Sequence, residues 1–347
     1  MDFTSLSTQE ILDLAKPTKE YAELREKFKF ELDWDDDQEA ISTLRQFVAF
    51  QELADRKDPG VNEETLHAVA RDGHQLPLRV FRAAKANAVH VELSRSPLIV
   101  LFYGGGFILG SPTSMAALAR SLVKRFNAVV VAPTYRLAPE YPFPTGVNDG
   151  WDAVAWIAEN AEVLEADPNQ GFLVGGISAG GNITNVVTHL ARDRGLQPLI
   201  TGNWLSVPGV RLAPKNADEL PQKYKERLLS RAQEAVIDSR TLPPGMVKLM
   251  NRSNKRDENS ELASPLIWPT DMGHKKMPRT YFQVCGADTG RDEALVYDDM
   301  LKAEGIETRL DVYPGLPHAF WHSLKGLPES KRWLQDTLDG FAWLLNR

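Results

Sequence analysis

Residues 171–181 read Gly-Phe-Leu-Val-Gly-Gly-Ile-Ser-Ala-Gly-Gly, and this stretch decides the fold. An apolar run at residues 171–175 passes directly into a Gly-x-Ser-x-Gly pattern centred on Ser178. A strand that turns at once into a helix needs small residues here, because larger side chains would collide with the neighbouring strand and helix. The stretch therefore predicts a sharp turn that exposes a nucleophilic serine. Because the pattern alone arises by chance in roughly one chain of this length in ten, other segments have to support it.

Strand-like and helix-like segments alternate along most of the chain. The apolar runs at residues 97–103 and 127–133 are typical of buried parallel strands. Further β-type runs lie at residues 65–71, 76–83, 171–175, 279–285 and 307–313. Segments with helical periodicity lie at residues 115–126, 148–159, 179–194, 292–304 and 330–345. This alternation predicts an α/β fold built on a doubly wound parallel sheet.

Two parts of the chain break the alternation and predict a helical cap. Residues 1–62 are helical in pattern, with a capping box at Ser7 and Glu10, and residues 208–265 are polar, proline-rich and helical in pieces at 217–239 and 244–252. We expect 1–62 and 208–265 to form a cap, and 63–207 and 266–347 to form the two halves of a catalytic core. The alternative is a surface excursion without functional consequence, although long insertions commonly serve as lids.

Composition excludes several classes of protein. The chain of 347 residues has a net charge of −7 and no basic stripe, so we expect no nucleic-acid partner. We find neither a signal peptide nor an apolar stretch near the roughly 20 residues that span a bilayer. The single cysteine, Cys285, suits a reducing compartment. These features together predict a cytoplasmic protein without a membrane span.

A base and an acid follow the later strands in the order expected for this fold. An acyl-transfer serine needs a histidine to take its proton and a carboxylate to orient that histidine. Where the serine lies on a strand-to-helix turn of this kind, the chain order is Ser, then Asp or Glu, then His. Asp288 follows the predicted strand at 279–285, and His318 follows the one at 307–313. Both would lie at carboxyl ends of strands, where ligands meet open α/β sheets.

The oxyanion of such a reaction needs N–H donors at two places. The residue after the nucleophile, Ala179, supplies one, and the loop after the strand at 97–103 supplies the others. That loop contains Gly104, Gly105 and Gly106, whose backbone can approach an acyl oxygen closely. The alternative reading is a flexible turn.

Other residues compete for these roles. His322 lies one helical turn after His318, and the two histidines are alternatively a pair of metal ligands, although no third ligand is evident. Asp292 competes with Asp288 for the acid, but a carboxylate is also favoured where a helix begins. Cys285 is a rival nucleophile, although a buried strand-end thiol is usually inert. We expect neither a metal nor a cofactor.

Six motifs together resemble the hormone-sensitive-lipase-like family of α/β-hydrolases. They are Gly104-Gly105-Gly106-Phe107, the segment Tyr135 to Glu140 with Pro142-Phe143-Pro144, Gly176 to Asn182, Ala263-Ser264-Pro265-Leu266, Asp288 to Glu293, and His318-Ala319-Phe320. The resemblance implies an α/β-hydrolase fold with an eight-stranded, mostly parallel sheet, helices on both faces and a helical cap. It also implies a carboxylesterase in which Ser178, Asp288 and His318 form a triad and Gly104, Gly105 and Ala179 form the oxyanion hole. Dimers are frequent in this family, so a homodimer is possible.

The chain departs from the family at three positions. Tyr103 stands where the family usually has a histidine that braces the glycine loop, Ile177 replaces an acidic residue, and Gly290 stands where a leucine is usual. Because tyrosine is larger than histidine, we expect the first change to affect the catalytic rate or the shape of the substrate that the site accepts. None of them removes a member of the triad.

Aromatic residues near the predicted strand ends are candidates for an apolar substrate pocket. We expect Tyr103, Phe107, Trp204 and Phe320 to contact the substrate, while Trp268 and Trp321 are further candidates; all of them are alternatively core residues.

The sequence thus predicts a metal-free serine hydrolase acting on a small-molecule carboxylic ester, a lactone or an acetyl ester. Acyl transfer or cyclisation in natural-product biosynthesis is one alternative. A non-catalytic small-molecule receptor on the same scaffold is another, which the intact triad residues argue against.

Overall fold

The computed structural model describes residues 3–25, 32–84, 96–237 and 241–347. Its centre is an eight-stranded sheet whose strands lie in the order β1-β2-β4-β3-β5-β6-β7-β8. The first two pairings, β1 with β2 and β2 with β4, are antiparallel, and all the others are parallel. The strands are β1 (Val61–Val69), β2 (Gln75–Ala83), β3 (Leu98–Phe102), β4 (Val129–Pro133), β5 (Phe172–Ile177), β6 (Gly202–Ser206), β7 (Arg279–Ala287) and β8 (Thr308–Pro317).

Helices fill the connections between the parallel strands. The α-helices are α1 (Thr8–Asp13), α2 (Lys19–Arg25), α3 (Asp37–Glu52), α4 (Ala116–Phe126), α5 (Thr145–Glu159), α6 (Ala179–Arg194), α7 (Gln222–Lys225), α8 (Glu234–Ile237), α9 (Pro244–Asn254), α10 (Arg291–Ala303), α11 (Phe320–Ser323) and α12 (Pro328–Leu344). Short 3₁₀ helices lie at Phe3–Ser5, Pro112–Met115, Pro168–Gln170, Pro214–Asn216 and Ser230–Ala232. The capping box predicted for α1 is present, with the Glu10 N–H 3.2 Å from the Ser7 hydroxyl and the Ser7 N–H 2.7 Å from the Glu10 carboxylate.

The strand order explains why helices cover both faces of the sheet. From β3 the chain crosses to β4 on one side, and from β4 it returns past β3 to β5 on the other. Because parallel crossovers are right-handed, α4 and α5 lie on opposite faces of the sheet, and α6 lies on the same face as α5. Contacts agree with this arrangement, since α5 packs against α6 while α4 packs against α12. The reversal leaves a crevice at the carboxyl ends of β3 and β5, which is where α/β sheets bind ligands.

The prediction of a mostly parallel α/β sheet with eight strands is confirmed. The sequence had indicated seven β-type runs, and the strand that it did not reveal is β6. This strand contains two polar residues, Asn203 and Ser206, which are fully buried. It therefore lacks the continuous apolar run that marks the other central strands.

The N-terminal helices and the 208–265 segment meet above the crevice. Ile41 and Leu44 of α3 pack with Leu249 of α9 and with Ile108 and Leu109, which follow β3. Arg45 of α3 donates to the carbonyl of Ile108 at 2.9 Å and to that of Ala138 at 2.8 Å. The helix expected over 217–239 is broken into α7 and α8, and residues 238 and 239 of it lie outside the described residues.

Candidate active site

Ser178 lies on the sharp turn that its sequence predicts. Strand β5 ends at Ile177 and α6 begins at Ala179, which leaves Ser178 with φ 56° and ψ −113°. A serine rarely adopts a positive φ, so this backbone stores strain of the kind found at functional sites. The turn is so tight that a Cβ on Gly176 would lie 2.3 Å from the backbone of Gly180. Hydrogen bonds to its neighbours hold the strained residue, with the Ser178 N–H donating to the Ser206 carbonyl at 2.9 Å.

The ends of two other strands bring a histidine and an aspartate to this serine. His318 follows β8, and its Nε2 lies 2.9 Å from the Ser178 Oγ. Asp288 follows β7, and its Oδ2 lies 2.6 Å from the His318 Nδ1. The three side chains are 110 and 30 residues apart along the chain, so only the parallel register of β5, β7 and β8 unites them. The arrangement can move a proton from the serine to the histidine while the carboxylate holds the imidazole.

The Asp288 carboxyl is held in its charged form. Burial by itself raises the pKa of Asp288, but the attraction and hydrogen bond of His318, together with the Gly290 N–H at 3.0 Å, outweigh burial and lower that pKa. The structure also separates Asp288 from its rival. Asp292 accepts the N–H groups of Leu229 and Ser230 at 2.7 and 2.6 Å and pairs with Arg291, so it has a structural role away from the histidine.

The glycine loop after β3 lies directly against Ser178. A Cβ on Gly104 would lie 3.3 Å from the Ser178 Cβ, so the two backbones are in contact. Gly105 has φ 127°, and a Cβ there would lie 2.3 Å from the Leu109 carbonyl oxygen. Ala179 is the first residue of α6, and the first N–H groups of a helix have no intrahelical acceptor. The glycine loop and the first residue of α6 therefore both lie next to Ser178.

Tyr103 braces this loop through a reciprocal pair with Tyr135. The Tyr103 hydroxyl donates to the Tyr135 carbonyl at 3.2 Å, and the Tyr135 hydroxyl donates to the Tyr103 carbonyl at 3.0 Å. Their rings stack with centroids 4.3 Å apart. The tyrosine that replaces the family's histidine thus fixes the peptide immediately before Gly104. Tyr135 was missed as its partner, because nothing in the sequence joins residues 32 positions apart.

A cavity of about 970 Å³ opens onto Ser178, Asp288 and His318. Leu44, Val48, Phe107, Met246 and Met250 form an apolar part of its wall. They come from α3, from the glycine loop and from α9, so the N-terminal helices and the 208–265 segment both contribute. His322 also lines the cavity, whereas His318 alone of the two contacts Ser178.

Three of the four residues expected to contact the substrate are core residues instead. Trp204 is fully buried and donates from Nε1 to the Gln283 Oε1 at 2.9 Å. Tyr103 is occupied with Tyr135, and Phe320 is buried against Tyr313 and Trp321. Of the four, Phe107 lines the cavity. Position along the sequence does not reveal whether an aromatic side chain points into the core or into the cavity, and Tyr103, Trp204 and Phe320 are all buried in the core.

The remaining rival residues take structural positions. Cys285 is buried in β7, and burial together with the nearby Asp288 raises the pKa of the Cys285 thiol well above its usual value. Trp268 and Trp321 are buried, the first donating to Asp193 and the second stacking on Trp333. Among the described residues, no group of three or more His, Cys, Asp or Glu side chains is arranged to hold a metal ion. Within the same residues, no helix has both the length and the apolar character needed to cross a bilayer.

Comparison with known proteins decides the family. Residues 99–322 match the family described as "alpha/beta hydrolase fold", and they contain all three residues of the serine, aspartate and histidine cluster. The chain belongs to the hormone-sensitive-lipase-like family of α/β-hydrolases. The hydrolase is 37% identical over 276 residues to an AB hydrolase superfamily protein of Schizosaccharomyces pombe, which covers 80% of this chain and 78% of the relative.

Named enzymes are among the relatives of this hydrolase. The versiconal hemiacetal acetate esterase of Dothistroma septosporum is 30% identical over 259 residues, covering 73% of this chain and 75% of that protein. The structure of a vibralactone cyclase superposes with a TM-score of 0.81 at 27% identity, covering 96% of each chain. The hydrolase is accordingly an enzyme of the carboxylic ester hydrolase class.

The sequence did not reveal three arginines in the cavity wall. Arg211, Arg231 and Arg256 all come from the 208–265 segment and lie in the same wall as Ser178. They share no motif or spacing, so their convergence becomes visible only in three dimensions.

Proposed function

We propose that the hydrolase cleaves carboxylic esters of a small, partly apolar molecule through an acyl-enzyme formed on Ser178. The observation that carries this proposal is the continuous hydrogen-bonded series from Ser178 Oγ through His318 to Asp288, at 2.9 and 2.6 Å. Both distances lie within the reach needed for proton transfer and for orienting the base.

Each residue has one role in the first half of the reaction. His318 Nε2 takes the Ser178 hydroxyl proton while Oγ bonds to the ester carbonyl carbon. The N–H groups of Gly104, Gly105 and Ala179 donate to the oxyanion that forms. Asp288 accepts from the His318 Nδ1–H and stabilises the imidazolium. His318 then returns the proton to the leaving alkoxide, so the alcohol departs and the acyl group stays on Ser178.

Water completes the reaction by the same route. His318 takes a proton from a water molecule, whose oxygen attacks the acyl carbon, and the carboxylic acid leaves as the proton returns to Ser178. The apolar wall formed by α3 and α9 would exclude other water from the site. We therefore propose residues 1–62 and 208–265 as a cap over a core of 63–207 and 266–347.

Labelling and ester hydrolysis test this function. A fluorophosphonate should label Ser178, and a series of p-nitrophenyl esters of increasing chain length should show both turnover and the depth of the cavity. Ser178→Ala should abolish labelling and lower turnover by on the order of 10⁶, the loss typical when a triad acts as a unit. Ser121→Ala, whose hydroxyl bonds the Ala117 carbonyl within α4, is the matched control. Full esterase activity in Ser178→Ala would refute the mechanism, and an unlabelled wild-type protein would favour a receptor.

The similarity to vibralactone cyclase favours a second candidate, cyclisation. In that reaction a hydroxyl of the acyl group attacks the carbonyl carbon of the acyl-enzyme in place of water, and a lactone leaves as Ser178 regains its proton. Mass spectrometry of products formed with methanol present distinguishes the outcomes. A free acid indicates hydrolysis, a methyl ester indicates acyl transfer, and a product that has gained neither water nor methanol indicates cyclisation.

The cellular setting is part of the proposal. The single cysteine suits a reducing compartment, and we propose a cytoplasmic enzyme. A homodimer, as in many relatives, is tested by light scattering coupled to gel filtration.

A further inference from the structure

The cavity wall carries a concentration of positive charge that the chain as a whole does not. Among the described residues of this wall, the arginine and lysine side chains are Arg211, Arg231, Arg256 and Lys325, whereas the carboxylate is Asp288, which is paired with His318. The whole chain has a net charge of −7. A cleft lined by one sign of charge concentrates ligands of the opposite sign.

Two of the three arginines have carboxylate partners. Arg231 donates from Nε to the Glu293 Oε1 at 2.6 Å, and Arg256 donates from Nη2 to the Glu258 Oε1 at 3.2 Å. Arg256 also has a buried Nε without a hydrogen-bond partner among the described residues. The third arginine has no carboxylate within ion-pair distance among the described residues, although Glu293 and Glu258 attract it from farther away.

Arg211 is that third arginine. Its guanidinium makes no hydrogen bond and no ion pair with any residue that the structure describes. Burial lowers the pKa of Arg211 to about 9, with repulsion from Arg256 and Arg231 adding to it, so it remains charged at neutral pH. Arg211 is half-buried and lines the cavity, so its charge has less water around it than an exposed arginine and no hydrogen-bonded partner, which disfavours the folded state.

The backbone holds Arg211 close to the chemistry. The Leu266 N–H donates to the Arg211 carbonyl at 3.0 Å, which anchors this part of the loop after β6. Two residues earlier in that loop, the Gly209 N–H donates to the Ser178 carbonyl at 3.1 Å. Arg211 is thus fixed on the segment that supports the nucleophile.

We propose that Arg211, with Arg231 and Arg256 beside it, binds a carboxylate group of the ester substrate. The apolar body of the substrate would lie against Phe107, Met246 and Met250, which line the same cavity. A guanidinium binds a carboxylate through two parallel hydrogen bonds, so the carboxylate of an anionic substrate would be the hydrogen-bond partner that Arg211 lacks among the described residues. This proposal rests on the esterase function and specifies its substrate class as anionic esters.

Two matched pairs of esters test it, one with the charge on the acyl side and one with the charge on the alcohol side. The first pair is mono-4-nitrophenyl adipate and 4-nitrophenyl methyl adipate, and the second is 4-acetoxybenzoate and methyl 4-acetoxybenzoate. We expect the wild-type protein to favour the carboxylate member of at least one pair by kcat/KM. Equal or better turnover of the neutral member in both pairs would overturn the proposal.

Variants of Arg211 identify the group responsible. Arg211→Gln should lower kcat/KM for the preferred carboxylate ester by about 10- to 100-fold, the range for a hydrogen bond to a charged group, with little change for its neutral partner. Arg211→Lys should restore part of the preference. The control is Arg332→Gln on α12, where the side chain is 60% exposed and pairs with Asp336. Equal loss for both members of the pair in Arg211→Gln would contradict a carboxylate site.

Thermal unfolding separates binding from a structural role. Arg211→Gln breaks no ion pair with the described residues, so the variant should have the same Tm as the wild-type protein or a higher one. A lower Tm with unchanged ester preference would assign Arg211 to the fold and overturn the proposal. If none of the four esters is hydrolysed and a fluorophosphonate fails to label Ser178, the esterase function itself fails, whereas hydrolysis without a carboxylate preference overturns the substrate class alone.

Discussion

The Tyr103–Tyr135 pair predicts how a change outside the cavity alters turnover. Tyr135→Phe removes one hydroxyl, which donates to the Tyr103 carbonyl at 3.0 Å in a fully buried setting, and leaves the stacked rings in place. The carbonyl that loses its donor belongs to the peptide before Gly104. The substitution therefore loosens one end of the loop that we propose as the oxyanion hole.

The expected loss of stability follows from the buried carbonyl. Leaving a buried acceptor unpaired costs about 1–3 kcal/mol. For 347 residues the entropy of unfolding is about 0.7 kcal/mol/K, at about 2.1 cal/mol/K for each residue, so the Tm should fall by about 1.5–4 °C.

The expected loss of activity is smaller than the loss caused by removing an entire oxyanion donor. Removing one oxyanion donor lowers kcat by about 10²–10³. Since Tyr135→Phe displaces the Gly104 N–H without removing it, we expect kcat for a p-nitrophenyl ester to fall by about tenfold, with KM nearly unchanged. A donor that acts mainly on the transition state should change kcat more than KM.

A matched control and a clear contrary result complete the test. Tyr141→Phe changes a tyrosine that is 43% exposed and should alter neither Tm nor kcat. Tyr103→Phe, which removes the reciprocal donor at 3.2 Å, should resemble Tyr135→Phe. If Tyr135→Phe lowers the Tm by the expected amount and kcat stays at the wild-type value, the brace stabilises the fold but does not position the loop, and our reasoning is wrong.

Two further predictions concern charge. Asp288→Asn should keep the fold and lower kcat by on the order of 10⁴, because an amide favours the wrong tautomer of His318; a loss below tenfold in ester hydrolysis would contradict the assigned role. Burial lowers the pKa of His274 to about 4 from an ordinary 6.5, so between these values the unfolded chain binds a proton that the folded protein does not. The free energy of unfolding should therefore fall as the pH decreases, by about 2 kcal/mol for His274 at pH 5 relative to pH 7. Urea unfolding at both pH values measures this, and His274→Gln should show a smaller fall in the free energy of unfolding between pH 7 and pH 5; an equal free energy at both pH values in the wild-type protein would count against it.

Local patterns were enough to predict the strand and the helix on either side of Ser178. Helix α6 begins and ends where the sequence indicated, at Ala179 and Arg194, because glycines mark its entry and Gly195 ends it with a left-handed residue. The apolar runs of β3, β4 and β5 were recognised because strands buried on both faces contain few polar residues. Each of these signals is contained within a few residues.

The misplaced elements depend on partners that are distant in sequence. In β6 the buried Asn203 accepts the Thr188 hydroxyl at its Oδ1 at 2.9 Å, and the buried Trp204 donates its indole N–H to Gln283. A polar residue in a strand is satisfied only by tertiary contacts, so a single sequence does not distinguish it from a loop residue. The order Ser, Asp, His could be predicted from the sequence because the fold fixes which strand ends meet. Which aromatic side chains line the cavity could not be predicted, because that depends on whether each one faces the core or the cavity.

The site concentrates unfavourable features that the rest of the fold has to offset. Ser178 has a strained backbone, Asp288 is a buried carboxylate, and Arg211 is a charge without a partner among the described residues. Each conflicts with folding taken alone, and each lies on the wall of one cavity at the carboxyl ends of the parallel strands. Local conflicts of this kind are expected where function opposes stability. The triad that we propose explains the first two, since a strained serine and a buried carboxylate would serve acyl transfer to any ester. The third has no use in that chemistry, so it is the feature that argues for a particular substrate.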